Sequence, residues 1–178
     1  MHTVSGVIIN LLDVQASDLN IEDIATGLYH TNRFNGQTER PYNVLSHSMC
    51  AAEMAPDDKK LEALLHDASE AYIGDMTTPV KELFPEFVVY EDKLLAMIME
   101  KFNTSTYKVE NGRYVKSPVM LAIDKRLGQG ENFVLRPRCA GVYDSEVADL
   151  MYRYWNAQPR DFIKLYKVLS TTGDTNEQ

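Results

Sequence analysis

The residues best suited to chemistry form one short run, in which His66 and Asp67 are followed by Glu70 and Asp75. A histidine and an aspartate side by side can both bind one divalent metal ion. If the run is helical, Glu70 lies four residues from His66 on the same face and can reach a metal-bound water. Asp75 follows Gly74, so it serves either in catalysis or simply as a turn residue. This pattern favours a hydrolase, provided that other segments supply the missing ligands.

Two other segments offer one ligand each. His47 lies on a predicted helix ahead of the one that carries His66, and a short turn at residues 55–57 joins the two. If these helices form an antiparallel hairpin, the two histidines face each other. Asp124 is an acid within the apolar helical stretch from Leu121 to Leu127, which favours burial beside a cation. The alternative for Asp124 is an ion pair with one of the two basic residues that follow it.

Apolar residues at helical spacing, together with capping residues and prolines, predict the elements that position these side chains. Helices are predicted over residues 18–29, 44–54, 58–73, 85–102, 117–127, 144–155 and 159–169, loops over 31–41 and 75–81, and a short strand or extended arm over 4–14. The Asn111-Gly112 pair within residues 107–115 predicts a β-hairpin. The predicted fold class is therefore mainly α, a single helical domain with at most a small β-hairpin.

The composition restricts the possible partners. The chain of 178 residues has 18 basic and 26 acidic residues and a net charge of −8, which argues against a nucleic-acid partner, because such binding relies on a basic surface. Without a bilayer-spanning apolar run or a secretory signal, a cytoplasmic protein with no membrane partner is expected. Cys50 and Cys139 are isolated and expected to be reduced. One domain is predicted over residues 1–170, with a flexible tail at 171–178.

Longer stretches around these residues resemble a known family. The runs ALLHDASEAYIGD (63–75) and TTPVK (77–81), with the upstream stretches 32–36 and 41–48, are similar to HD-domain metal-dependent phosphohydrolases. The likeness is to the bacterial and phage branch that hydrolyses deoxynucleotides, and it covers roughly residues 3–132. It implies an HD-domain fold and one catalytic divalent ion, which is Mn, Co, Mg or Zn. The metal ligands that it implies are His47, His66, Asp67 and Asp124.

The resemblance also implies roles within the site. The metal would polarise a phosphoryl oxygen and lower the pKa of a bound water. Glu70 would orient that water or take its proton, and Asp75 would share this work or hold its loop in place. Substrate-binding roles are implied for Arg33, Thr78, Pro79 and Lys81. The arginine would clamp phosphate with its planar fork, the lysine would add a point charge, and the other two would shape the sugar or base pocket.

The expected function is hydrolysis of a small-molecule deoxynucleotide, with a narrow preference for a deoxynucleoside triphosphate such as dATP. Three reactions stay open, namely removal of phosphate from a monophosphate, release of triphosphate in one step, and serial trimming of a triphosphate. The alternatives are a non-catalytic nucleotide sensor and a module in which the metal only supports the fold. Apolar residues in the last two helices favour a homo-oligomer. Arg136 and Arg138 form a basic spot that either reaches a substrate phosphate in a neighbouring subunit or is a solvated loop.

Overall fold

The structure is a computed structural model that describes residues 1–104, 108–138 and 141–172. As predicted, the chain is mainly helical, with one small β-hairpin among the described residues. Its helices and strands are α1 (Ile21–His30), α2 (Val44–Met54), α3 (Lys60–Leu65), α4 (Glu70–Ile73), α5 (Thr78–Lys81), α6 (Pro85–Lys101), β1 (Lys108–Glu110), β2 (Arg113–Val115), α7 (Pro118–Leu135), α8 (Ser145–Tyr154) and α9 (Pro159–Thr172). In this described part of the chain, no helix combines the length and the apolar character that a membrane crossing requires.

Helix α2 is the central helix and is buried from Val44 to Ala52. It packs against α1, α3, α7, α8 and α9. Asn43 caps its N-terminus, because the Asn43 side chain accepts a hydrogen bond from the backbone N–H of Ser46 at 2.9 Å. No charged residue interrupts the buried run, so helices can enclose it on several sides. The polar side chains that it carries, His47 among them, are therefore held inside the fold.

The third predicted helix is interrupted at the candidate metal ligands. Helix α3 ends at Leu65 and α4 begins at Glu70. Residues 66–69 form a tighter segment with hydrogen bonds from residue i+3 to residue i, such as Glu70 N–H to the Asp67 carbonyl at 3.0 Å. Residues three apart eclipse each other in such a segment. Asp67 and Glu70 therefore share one side, which replaces the predicted pairing of Glu70 with His66 on a regular helical face.

Helix α7 continues to Leu135, well past its predicted end at Leu127. The glycines that follow, Gly128 and Gly130, are typical of a helix end. Gly130 instead serves close packing, because a Cβ at this position would lie only 2.5 Å from Cγ1 of Val147 on α8. The extra two turns of α7 carry side chains that reach the candidate site.

The predicted hairpin is confirmed as the antiparallel pair β1 and β2. Asn111 and Gly112 have φ angles of 52° and 72°, and a two-residue type I′ turn requires positive φ at both positions. The predicted loop over residues 75–81 was wrong in part, because residues 78–81 form α5. For residues 4–14 the prediction was a short strand or an extended arm. The segment consists of turns and extended stretches, with an isolated bridge between His2 and Ile8 in place of a strand.

Some sequence predictions fall outside the described residues. These are the state of Cys139, the start of the hairpin at Tyr107 and residues 173–178 of the predicted tail. Residues 171 and 172 belong to α9, and the domain boundary at residue 170 stays a prediction.

Candidate metal centre and cavity

Three of the four side chains predicted as metal ligands, His47, His66 and Asp67, lie close enough together to hold one ion, and Asp124 lies beside His66. His66 Nε2 lies 3.1 Å from Asp67 Oδ2 and 3.1 Å from Asp124 Oδ1. His47 Nε2 lies 3.3 Å from His66 Nε2 and 3.4 Å from Asp67 Oδ2. Helix α2, the segment 66–69 and helix α7 supply these atoms from three separate parts of the chain. The packing of α2 on α3 thus brings the two histidines together, as the predicted helical hairpin requires.

The hydrogen bond at Nδ1 of each histidine leaves the other ring nitrogen, Nε2, facing the centre. His66 Nδ1 lies 2.6 Å from the Ala63 carbonyl and His47 Nδ1 lies 2.6 Å from Glu131 Oε1, so both Nδ1 atoms carry the proton and donate it. When both rings are neutral, their Nε2 atoms therefore present lone pairs to the space that the two carboxylates border. Asp124 Oδ1 is buried and in that state accepts no hydrogen bond from any described residue. A divalent cation satisfies such a set of donor atoms.

The charged side chains of this centre shift one another's pKa values. Burial lowers the pKa of His66, but the carboxylates of Asp67 and Asp124 outweigh this effect and raise it to about 10. For Asp67 the effects have the opposite sign. Burial raises the pKa of this carboxyl group, but the neighbouring positive charges hold it well below its usual value. The metal-free centre thus keeps a proton on His66, and binding of a metal ion would release that proton.

A cavity of about 630 Å³ opens beside the centre. Every residue predicted for the site lines it except His66, which lies behind the wall and is buried. The predicted residues in the wall are Arg33, His47, Asp67, Glu70, Asp75, Thr78, Pro79, Lys81 and Asp124. The cavity therefore joins the candidate metal ligands to the candidate catalytic and substrate-binding residues.

Glu70 is the buried acid of this wall. Its Oε2 atom accepts no hydrogen bond from the described residues. Burial raises the pKa of Glu70 well above its usual value, and the nearby carboxylates of Asp67 and Asp75 raise it further. The Oδ2 atom of Asp75 lies 3.7 Å from Nη1 of Arg33, and Asp75 lines the cavity.

Arg33 lies at the start of a strained turn that holds it against the cavity. Its backbone N–H donates to the Tyr42 carbonyl at 2.9 Å, which fixes the turn next to α2. The following residues, Phe34 and Asn35, have φ angles of 56° and 53°, a conformation that costs about 1 kcal/mol or more per residue outside glycine. The Nε atom of Arg33 is buried without a partner among the described residues. An oxyanion in the cavity would supply the missing acceptor.

Lys81 already has an acidic partner. Its Nζ atom lies 2.7 Å from Glu91 Oε2 on α6. Lys81 lines the cavity, but its ammonium group is already held by this carboxylate, whereas the Nε atom of Arg33 has no partner among the described residues. We expect it to contribute less than Arg33 to the binding of an anion.

Two residues of the centre were missed by the sequence analysis. Lys116, just after β2, donates a short hydrogen bond to Asp124 Oδ2, and its Nζ atom lies 3.7 Å from Asp67 Oδ1. Glu131, on the unpredicted extension of α7, is fully buried between His47 Nδ1 and Arg33 Nη2, at 2.6 and 3.3 Å. Burial alone would raise the pKa of Glu131, but the charges of His47 and Arg33 lower it. A single carboxylate thus orients one candidate ligand and the candidate phosphate clamp.

Replacing Glu131 with glutamine is expected to weaken metal binding by about 10- to 100-fold, as is usual when the partner of a ligating histidine is changed. Calorimetric titration with Mn²⁺ measures this, and excess Mn²⁺ should restore any lost activity. Glu53 is the matched control, because its carboxylate also accepts from an arginine and a second side chain, Arg153 and Tyr154, but lies at the surface. Glu53→Gln should leave the affinity for Mn²⁺ unchanged. Equal affinities in Glu131→Gln and the parent protein would contradict the orienting role.

The two arginines of the predicted basic spot are placed differently. Arg136 lines the cavity of its own chain, where its guanidinium lies 4.2 Å from the centre of the Phe34 ring. Arg138 is exposed and does not line the cavity. Arg136 can therefore reach a ligand in the cavity of its own chain, without a neighbouring subunit.

Bacterial proteins of related sequence include the uncharacterized protein YfdR of Escherichia coli, which is 34% identical over 113 residues. That match covers 64% of this chain and 63% of the relative. An uncharacterized protein of Rhodobacter capsulatus is 40% identical over 108 residues, with 55% of each chain covered. The matches thus span less than two thirds of either relative's length. No protein-family model matches the chain.

Proposed function

We propose that this chain is a metal-dependent phosphohydrolase of deoxynucleotides, of the HD-domain type. The observation that most supports the proposal is the centre itself, where the Nε2 atoms of His47 and His66 and the Oδ2 atom of Asp67 lie 3.1 to 3.4 Å from one another. Asp124 Oδ1 lies 3.1 Å from His66 Nε2. A buried glutamate and an arginine with an unused donor line the adjoining cavity. Ligands, base and phosphate clamp are the parts that metal-assisted hydrolysis of a phosphate ester needs.

In this proposal, the metal ligands, the buried glutamate and the arginine each have a defined task. A divalent ion held by His47, His66, Asp67 and Asp124 would polarise a phosphoryl oxygen and lower the pKa of a coordinated water. The buried carboxylate of Glu70 accepts the proton of the attacking water, for which its raised pKa suits it. Arg33 binds phosphoryl oxygens and stabilises the charge that develops on them, and Asp75 holds the arginine in place.

The preference for a deoxyribose substrate rests on the resemblance to the family. Thr78 and Pro79 line the cavity, and we assign them to the sugar or the base. Close packing against the sugar would exclude a ribose 2′-hydroxyl. Glu70 distinguishes this proposal from a nucleotide sensor, because a protein that only binds has no use for a buried base beside its ligand.

The test is hydrolysis of a panel of nucleotides by the purified full chain. Each deoxynucleoside and ribonucleoside mono- and triphosphate is incubated with Mn²⁺, Co²⁺, Mg²⁺ or Zn²⁺, and chromatography identifies the products. We expect at least one deoxynucleotide to be hydrolysed. The rate of hydrolysis of its ribose counterpart should be lower by a factor of about ten or more. Binding of nucleotides without turnover would favour the sensor. The absence of both binding and turnover would reject the proposal.

A further inference from the structure

The cavity contains one cation, Arg136, that no carboxylate of the described residues neutralises. Among the described residues, Arg33 pairs with Glu131, Lys81 with Glu91 and Lys116 with Asp124. Arg136 is the fourth cation of the wall, and no described carboxylate lies within 4 Å of it. In a chain with a net charge of −8, an arginine without an acidic partner stands out. Its charge remains available to a ligand.

Neutral groups hold Arg136 in place. It follows α7 directly, and its backbone N–H donates to the Asn132 carbonyl at 3.0 Å. Its side chain also donates to Asn132, with Nε at 2.9 Å from Oδ1 and Nη2 in a shorter contact with the same atom. The Phe34 ring covers one face of the guanidinium at 4.2 Å, a cation–π contact. The side chain is thus oriented before a ligand arrives, which lowers the entropic cost of binding.

The remaining donors of this arginine suit a phosphate group. Nη1 donates no hydrogen bond to a described residue, and a planar guanidinium matches the spacing of phosphate oxygens. Arg33 and the metal centre already serve one phosphoryl group in the proposed function. A second cation in the same cavity is free to bind additional phosphate oxygens.

We propose that Arg136, held by Asn132 and Phe34 without a carboxylate partner, binds a phosphate group beyond the one at the metal centre, so that nucleoside triphosphates are the preferred substrate class. The inference rests on the proposed function, because it uses the same cavity. It selects between the monophosphate and triphosphate reactions that the sequence leaves open. It also makes Arg136 a residue that determines specificity within its own chain.

The test compares the parent chain with Arg136→Gln and with Arg138→Gln, the matched control on the exposed arginine two residues away. The probes are inorganic tripolyphosphate and orthophosphate, titrated calorimetrically at saturating Mg²⁺, which requires no turnover. Loss of a charged hydrogen bond should weaken tripolyphosphate binding by about 10- to 100-fold in Arg136→Gln. Orthophosphate binding should stay near the parent value, and Arg138→Gln should match the parent with both probes.

A second measurement uses the nucleotides that the parent hydrolyses. In Arg136→Gln, kcat/KM should fall about 10- to 100-fold for a deoxynucleoside triphosphate and change little for the monophosphate, while Arg136→Lys should recover part of the loss. Equal losses for both substrates, or a change only in base preference, would overturn the inference. So would unaltered binding of tripolyphosphate. If no nucleotide is hydrolysed but tripolyphosphate binding still depends on Arg136, the proposed reaction fails and the polyphosphate site stands.

Discussion

Replacing Glu70 with glutamine is expected to slow nucleotide hydrolysis by about 10²- to 10⁴-fold, the usual contribution of a general base. Glutamine keeps the shape of the side chain but cannot take a proton from water. Glu70 is well suited to that task, because burial raises its pKa and its Oε2 atom has no partner among the described residues. Metal binding should persist, since Glu70 is not one of the four side chains at the centre.

The measurement is a single-turnover assay with saturating metal, accompanied by calorimetric titration of the metal. Glu62 provides the control, because it is equally buried but accepts a hydrogen bond from Tyr114 at 3.0 Å and does not line the cavity. Glu62→Gln should alter the melting temperature more than the rate. A Glu70→Gln variant that hydrolyses nucleotides at the parent rate would show that another group takes the proton.

Replacing Asp67 with alanine is expected to remove both the metal and the activity. Loss of a partner of a metal ligand already costs about 10- to 100-fold, so loss of a ligand should cost more than about 100-fold in rate. The metal should also stabilise the parent protein, because it binds the folded state. At a concentration 100 times its Kd, a ligand adds about 2.7 kcal/mol to the free energy of unfolding. For a chain of 178 residues, this corresponds to a rise in Tm of about 5 to 10 °C.

Thermal melting with and without Mn²⁺ measures this effect, together with the metal content after dialysis. In Asp67→Ala the rise in Tm should disappear, while the metal-free protein still melts in one cooperative transition. Asp149→Ala is the matched control, because Asp149 is an exposed aspartate on α8 and should keep the full rise. A metal-dependent rise that survives in Asp67→Ala would place the metal elsewhere.

The elements that carry the site follow largely from local sequence signals. Asn43 caps α2 and the helix ends before Pro56, so the predicted bounds of this helix agree with the observed Val44–Met54. Ser117 caps α7 by accepting from the Met120 N–H at 3.3 Å, and the Asn111-Gly112 turn forms the hairpin. Each of these signals acts within a few residues of the chain, which is why sequence alone reveals it.

The parts that the sequence could not reveal depend on contacts between distant segments. The stretch around His66 has helical composition, yet its turn tightens where the histidine and Asp67 must face α2 and α7. Glu131 was missed because two glycines suggest that α7 has already ended, whereas Gly130 allows close contact with α8. The sequence around Glu131 is polar and does not show that this side chain is buried. Its partners, His47 and Arg33, are 84 and 98 residues away in sequence.

The position of Lys116 has a consequence for the number of metal ions that the proposed centre would hold. Its ammonium group lies against Oδ2 of Asp124 and Oδ1 of Asp67, whereas the other oxygen of each carboxylate faces the histidines. In two-metal hydrolases the ions lie about 3.5–4 Å apart and use both sides of shared carboxylates. Here a second ion would meet a fixed positive charge at the oxygens it needs. If the centre binds a metal ion as proposed, the lysine would take the place of a second ion, and the centre would hold one ion only.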